Sequence, residues 1–357
     1  MRPRDHYVAL DGLRGVAAIS VLFCHLGRWQ QHPALADNAG LAVDFFFTLS
    51  GYVLAVAYSS KLDSGMTNWQ FSRVRLIRLM PVIVLGTIVS AAYLVTRVYW
   101  LHDAGIDLKE VSLAAILGVL CIPFFTASEA IGGPQVFPLN GPQYTLFLEL
   151  IVNWFWAAVR PSRQLWFAVA IAAAGYVLTA IYGREGDTVQ TFWTGFPRVF
   201  GAYYAGVAIF CAQRRWPVLT DNRWSLLFWP LLCLTLILFW WPSALSSWID
   251  WDWALFCAPL LVLTGSRVQL GRTSSRAALV LGELSYPVYA LHYPIFVWVN
   301  AAYQTVLHRK DFIIGSVLVF PLALIGAWLI LRLIDQPIRK GLTAWARGST
   351  GAASSRP

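Results

Sequence analysis

Long apolar stretches separated by short polar and basic segments dominate the chain, with no sustained alternation of the kind a half-buried strand shows. A helix rises about 1.5 Å per residue and the hydrocarbon core of a bilayer is about 30 Å thick, so runs of this length predict membrane-crossing helices. Apolar runs occupy residues 13–30, 41–60, 80–99, 111–127, 143–159, 165–182, 193–212, 224–241, 253–266, 278–300 and 312–333, which makes eleven candidates. The intervening basic residues decide how many cross. Lys61 with Arg73, Arg75 and Arg78, then Arg160 and Arg163, then Arg214, Arg215 and Arg223, then Arg267, Arg272 and Arg276 mark inside loops, and Arg339 with Lys340 puts the C-terminus inside too. Ten crossings satisfy this pattern, and eleven do not. The run to demote is 111–127, which is short, carries Pro123 and leads into Ile131-Gly132-Gly133-Pro134-Gln135-Val136-Phe137-Pro138. It is expected to dip in and return on the outer side. Non-helical backbone at that depth must lie against protein or water, so the segment should line a cavity.

The fold expected is an all-α polytopic membrane helix bundle, with about ten transmembrane helices plus one re-entrant or short segment. Residues 1–345 form a single membrane domain, and the Gly-, Ala- and Ser-rich stretch 346–357 is a disordered tail. Composition excludes an ordinary soluble domain: of 357 residues, 58% are hydrophobic and 13% charged, with a mean hydropathy of +0.58. A net charge of +9 would suggest nucleic acid in a soluble protein, but here the cations sit in short loops and serve topology. The five cysteines lie in or beside apolar runs at irregular spacing, giving neither a disulfide framework nor a metal site. Arg2 and Arg4 precede the first apolar run without a small-residue cleavage site behind it, so that run should remain as the first span. Trp240, Trp241, Trp248, Trp251 and Trp253 crowd one outer boundary beside Asp250 and Asp252. They read as an interfacial aromatic belt, with a carbohydrate-stacking surface as the alternative.

The candidate chemistry lies in polar residues placed within these runs. Arg14 and His25 are eleven residues apart, almost three helical turns, so they share a face at a separation of about 16 Å. Asp11 falls within about 40° of the same stripe, and Ala18 between them leaves room for a ligand to lie along it. The alternative is that Arg14 marks the cytoplasmic end and His25 bonds a neighbouring helix. Asp44 enters the second span at a depth similar to His25, where a carboxylate would fix the imidazole's tautomer and raise its basicity; it also suits a helix cap. Arg73, Arg75 and Arg78 form a basic cluster at the inner face, with forked guanidinium groups that suit phosphates or anionic lipid. Glu149 and Arg198 lie within apolar runs, where ionisable groups mark function unless, as Arg198 can, they snorkel to the interface. Ser285, Tyr289 and His292 form a polar stripe at steps of four and three residues, which is either a binding surface or an interhelical seam.

Several motifs in order resemble the family-three integral-membrane acyltransferases, the group of bacterial O-antigen, exopolysaccharide, nodulation-factor and macrolide O-acyltransferases. They are Leu10-Asp11-Gly12-Leu13-Arg14-Gly15 with His25, Val43-Asp44-Phe45-Phe46-Phe47-Thr48-Leu49-Ser50-Gly51, Arg75-Leu76-Ile77-Arg78, and Leu284-Ser285-Tyr286 through His292-Tyr293-Pro294. The resemblance runs from about Tyr7 to Lys340. Two departures stand out: Tyr144-Thr145-Leu146 replaces the family's Trp-Ser-Leu, and Asp335-Gln336-Pro337 replaces its C-terminal Glu-Pro element. The resemblance implies a cytoplasmic acyl-CoA donor, usually acetyl-CoA, a glycan or other hydroxyl-bearing acceptor, and residence in the bacterial inner membrane with both termini cytoplasmic. It implies no metal and no nucleic acid; lipid surrounds the chain, and protein partners are left open. The candidates are then His25, Asp44 and Glu149 for the chemistry, Arg14, Arg73, Arg75, Arg78, Ser285 and Tyr286 for the donor, and Arg198, Tyr289 and His292 for the acceptor. His25 would deprotonate the acceptor or briefly carry the acyl group. The rival class is a transporter or flippase for a sugar or lipid-linked precursor, against which the absence of an apparent inverted repeat counts.

Overall fold

A computed structural model describes residues 7–30, 32, 36–159, 164–240, 251–308 and 312–353, with side chains in the last stretch described for 313–346. The basic residues Arg160 and Arg163, and Trp241, Trp248 and Asp250 of the aromatic group, lie outside the described residues. Every regular element among the described residues is helical: α1 (Val8–Trp29), α2 (Ala42–Asp63), α3 (Asn68–Trp100), α4 (Leu108–Val119), α5 (Gln143–Val159), α6 (Leu165–Tyr182), α7 (Gly195–Arg215), α8 (Phe228–Trp240), α9 (Ala258–Gly265), α10 (Arg272–Leu307), α11 (Phe312–Ile330) and α12 (Gln336–Ala353). A π-helical turn, Trp253–Cys257, leads into α9, and another, Leu331–Asp335, joins α11 to α12.

Among the described residues, six helical stretches are long and apolar enough to cross a membrane: Val8–Trp29, Asp37–Asp63, Asn68–Trp100, Leu165–Tyr182, Asn222–Trp240 and Ile313–Ala346. Four more have lengths or compositions short of that standard. These are α5 with 17 residues, the interrupted Trp253–Gly265, α7, which carries Arg198 near its start, and α10, which starts among Arg272 and Arg276. The polytopic all-helical bundle expected from sequence is therefore what forms. The chain divides into two compact units, where the sequence suggested one domain: Met1–Gly65 with Ile151–Gly186 and Gln190–Tyr289, and Met66–Leu150 with Asp187–Val189 and Ala290–Pro357.

In the first unit α7 packs closely on both α2 and α6, and glycines permit it. A Cβ on Gly206 would meet the Thr48 carbonyl oxygen at 1.9 Å, and one on Gly175 would meet the Gly201 nitrogen at 2.4 Å. Small residues let helix backbones approach where lipid supplies no hydrophobic drive. α1 sits on the first half of α10 in the same way, since a Cβ on Gly15 would lie 2.5 Å from Leu281 and one on Gly282 would lie 2.6 Å from Asp11.

In the second unit α3 begins twelve residues before its apolar run, because Thr67 caps it. The Thr67 hydroxyl accepts from the Gln70 N–H at 3.2 Å, and the Gln70 side chain accepts from the Thr67 N–H at 2.9 Å. The resulting 33 residues extend about 50 Å, well over the hydrocarbon thickness, so α3 must tilt or run past a bilayer core. α4 has 12 residues, about 18 Å, too short to cross. Glu110 in its first turn accepts from the Ser128 N–H at 2.6 Å and from its hydroxyl at 2.7 Å, so the chain after α4 returns to the end at which it entered. The chain thus turns back after 111–127 as expected, though the residues that line the larger cavity come after that segment. The returning stretch lines a cavity of about 190 Å³ with Glu129, Ile131 and Leu139, closed by Tyr93 and Arg97 of α3 and Tyr293 of α10. The tail is a different matter: α12 continues to Ala353, through the first part of the stretch whose composition suggested disorder, and 354–357 lie outside the described residues.

Candidate active site

Within the first unit, α1 is unbroken over 22 residues, so Arg14 and His25 keep the shared face and the separation of about 16 Å. Arg14 is seated against α10. Its Nε donates to Ser285 Oγ at 2.8 Å, one Nη donates to the Gly282 carbonyl at 2.8 Å, and the Asp11 carboxylate lies 3.2 Å from the same guanidinium. Ser285 Oγ in turn donates to the Gly282 carbonyl at 2.7 Å, leaving its lone pair for Arg14. Arg14 and Ser285, both expected on the donor side, thus join the Gly282 carbonyl in one hydrogen-bonded group, while Tyr286 beside them is half-buried. Ala18 is 1% and Val21 2% exposed, so the face between Arg14 and His25 is packed, and the room for a ligand expected beside Ala18 is filled by the core. His25 is half-buried, with its ring 5.2 Å from that of Trp29 one turn on.

Asp44 is where the sequence reading needs correction. It was expected beside His25. It is buried and its two carboxylate oxygens are taken by guanidinium groups: Arg198 Nε donates to Oδ1 at 2.7 Å and Arg198 Nη2 to Oδ2 at 3.0 Å, and Arg184 also bonds Oδ2. Arg198 further donates to the carbonyls of Arg184 at 2.9 Å and Gly40 at 3.1 Å. The cause is the packing of α2, α6 and α7, which brings the start of α2, the turn after α6 and the start of α7 together. Arg198, expected to snorkel or meet the acceptor, is therefore a fork on a buried carboxylate. Arg184 went unnoticed in sequence; its signal is a lone cation on a loop assigned to the outer side, against the charge rule. Its guanidinium also lies 5.6 Å from the Trp251 ring. Trp253 is fully buried and donates its Nε1–H to the Leu41 carbonyl at 2.9 Å, so this tryptophan is core and no part of an interfacial belt. Tyr289 is buried, with its ring edge-on to Phe46 at 5.4 Å.

Within the second unit, the basic cluster separates. Arg75 is 6% exposed and forms an ion pair with Glu149 at 2.6 Å. Glu149 was singled out for catalysis and Arg75 for the donor; the structure gives each to the other. Arg73 donates to the Ala346 carbonyl of α12 at 3.0 Å, and Arg78, exposed, faces a groove beside α12. His292 is 1% exposed. Near it in sequence, the Ala290 carbonyl accepts from Asn140 Nδ2 at 3.0 Å, and Gln143 Nε2 donates to the Gly118 carbonyl at 2.7 Å, which ties the start of α5 to α10 and α4. The Thr145 hydroxyl, at the departure from the family pattern, donates to the Pro142 carbonyl at 2.9 Å.

Glu149→Ala should lower stability by about 3 kcal/mol, because it leaves the buried Arg75 guanidinium without this ion pair, and Arg75→Ala by less, because the Glu149 carboxylate is only partly buried. The double variant Arg75→Met with Glu149→Leu should recover most of that loss. Thermal unfolding of detergent-solubilised protein by size-exclusion fluorescence measures it; single variants as stable as wild type would show that the pair holds nothing together.

Helices of membrane-spanning length with charged side chains paired among them, and an arginine and a histidine along one helix face, define an integral-membrane protein with polar groups held within its helices. Residues 7–332 match the family model described as an acyltransferase domain, and the chain belongs to that family. Among curated relatives, "Protein 2 in picA locus" of Rhizobium radiobacter is 34% identical over 197 residues, covering 50% of this chain and 96% of that protein. "O-acetyltransferase OatA" of Staphylococcus aureus is 23% identical over 367 aligned positions, covering 94% of this chain and 58% of OatA. The chain thus spans little more than half of OatA's length. No solved structure matches.

Proposed function

We propose that the protein is an O-acyltransferase of the bacterial inner membrane, with both termini cytoplasmic, that moves an acyl group, acetyl in the first instance, from acyl-CoA to a hydroxyl of a glycan or related acceptor. The observation that carries this is the α1 face: Arg14 anchored on Ser285 and Gly282, and half-buried His25 about 16 Å along the same unbroken helix. An extended pantetheine arm has about that length, and because Ala18 and Val21 pack into the core, it would reach His25 from beside the helix rather than along that face. The acetyltransferase named among the relatives supports the acyl group and the hydroxyl acceptor.

In the chemistry proposed, a neutral ring nitrogen of His25 takes the acceptor hydroxyl's proton as the oxygen attacks the thioester carbonyl. The carbon–sulfur bond then breaks, and the CoA thiolate leaves and is protonated by the imidazolium. Alternatively the ring nitrogen itself attacks and carries the acyl group for one step. Donor and acceptor candidates keep the assignments made from sequence, except that Arg75, Glu149, Asp44 and Arg198 act through the pairs they form.

The experiment is purified protein in proteoliposomes with radiolabelled acetyl-CoA and a hydroxyl-bearing oligosaccharide. An alkali-labile ester on the sugar with equimolar free CoA thiol is the expected result. Uptake of unmodified sugar without ester would assign the chain to transport.

A further inference from the structure

The cavity of about 190 Å³ in the second unit lies at the far end of α3, with Tyr93 about 27 Å along the helix from Arg75. Ser90, Tyr93 and Arg97 recur at steps of three and four, so α3 gives it one continuous face. Ser90 is 3% exposed, and its hydroxyl has no hydrogen-bond partner among the described residues. A helical serine or threonine hydroxyl ordinarily donates to the carbonyl four residues back, as Thr87 and Thr96 of this helix do at 3.0 and 2.9 Å. A buried hydroxyl that forgoes this bond is rare in a native fold, and here it lines a cavity. Arg97 is paired with Asp103 and keeps further N–H donors beyond that pair. Glu129 is exposed at the mouth and forms no ion pair among the described residues, and Ser128 beside it is fixed by its two bonds to Glu110. Tyr93 and Tyr293 add two rings to the wall. The Tyr93 ring stands edge-on to Trp298 at 5.7 Å, and Trp298 is itself held by donating Nε1–H to the Val89 carbonyl at 2.9 Å.

We propose that this cavity is a subsite for one uncharged sugar ring of the acceptor, with Ser90 and Arg97 donating to sugar oxygens inside it and Glu129 accepting from a sugar hydroxyl at its mouth. The inference rests on the acceptor reading above and narrows the acceptor to a glycan. Arg97 and Asp103 balance each other, so the charge left over is the Glu129 carboxylate, which repels phosphate and other anions. Hydroxyl and guanidinium donors, a carboxylate acceptor and aromatic rings together fit a polyhydroxylated ring, whose hydroxyls both donate and accept and whose C–H faces lie against aromatic rings. A volume of about 190 Å³ is that of about six waters at about 30 Å³ each, room for a single sugar ring. Tyr293 directly follows His292, which the sequence assigned to the acceptor.

The test uses the full chain in nanodiscs of phosphatidylcholine, titrated with methyl α-glucoside, methyl α-galactoside and N-acetylglucosamine and followed by saturation-transfer NMR. At least one of the three should bind wild type with a Kd of about a millimolar. Ser90→Ala should weaken that binding about fivefold, the worth of one hydrogen bond, yet melt no lower than wild type, because the hydroxyl it removes bonds nothing in the free protein. Glu129→Gln should weaken it about tenfold, and in acyl transfer to a glycan it should raise the KM for acceptor and leave that for acetyl-CoA unchanged. Binding of none of the three sugars, or binding by both variants as tight as wild type's, would overturn the subsite. So would a Ser90→Ala variant whose only effect is a lower melting temperature. Acyl transfer with an unchanged acceptor KM in both variants would overturn it while leaving the acyl-transfer reading intact. Sugar bound as expected, with no ester formed by wild type, would overturn the acyl-transfer reading and keep the cavity as a sugar site.

Discussion

Replacing His25 with alanine should lower acyl transfer by about a hundredfold to ten-thousandfold, the usual worth of a positioned general base, at unchanged abundance in the membrane. His25 is half-buried on α1, whereas Leu22 and Leu26 flanking it are fully buried, so its loss leaves the helix's packing in place. A substitution is the cleaner probe of this helix than an insertion, because rotating His25 away would also rotate those leucines out of the core. Activity assays and immunoblots on the same membranes decide. Activity within a few-fold of wild type at equal abundance would remove His25 from the chemistry.

Asp44→Ala should be the most damaging change to folding among the charged residues of the first unit, at about 3–5 kcal/mol. The reason is charge balance. Asp44 holds both Arg184 and Arg198, so removing it leaves two partly buried guanidinium groups close together, whereas removing either arginine leaves a neutral pair. Arg198 also serves the Gly40 and Arg184 carbonyls, so Arg198→Ala should cost more than Arg184→Ala. The expected order of loss is Asp44, then Arg198, then Arg184, measured as melting temperature and as yield of monodisperse protein. An Asp44→Ala variant that folds normally and lacks only activity would instead restore the view of Asp44 as a reacting group.

The spans were legible because a helix in lipid must be apolar over a bilayer's thickness, which writes its length into the sequence. Position 111–127 was legible for the same reason in reverse, being too short and too rich in proline and glycine nearby. Charged residues inside apolar runs were legible as exceptions, and Asp44, Glu149 and Arg198 all prove to be held by other charges. Their partners were not legible. Asp44 meets residues 140 and 154 positions away, and Arg75 meets one 74 away, because helix packing through small residues makes the pairs and no local period records it. The capping box at Thr67 and Gln70 was there to be read and would have placed Arg73, Arg75 and Arg78 on the same helix as the apolar run that follows. Trp253 misled because an amphipathic ring beside a boundary looks the same whether its N–H meets a headgroup or a buried carbonyl.

The most direct test is acyl transfer with the two faces of the membrane kept apart. Sealed inverted vesicles containing the protein are loaded with acceptor oligosaccharide, and radiolabelled acetyl-CoA is added outside, at the exposed cytoplasmic face. The expected result is ester-linked label on acceptor inside the vesicles, absent with His25→Ala at equal abundance. Label that stays on CoA, or ester that forms equally well without His25, would contradict the account.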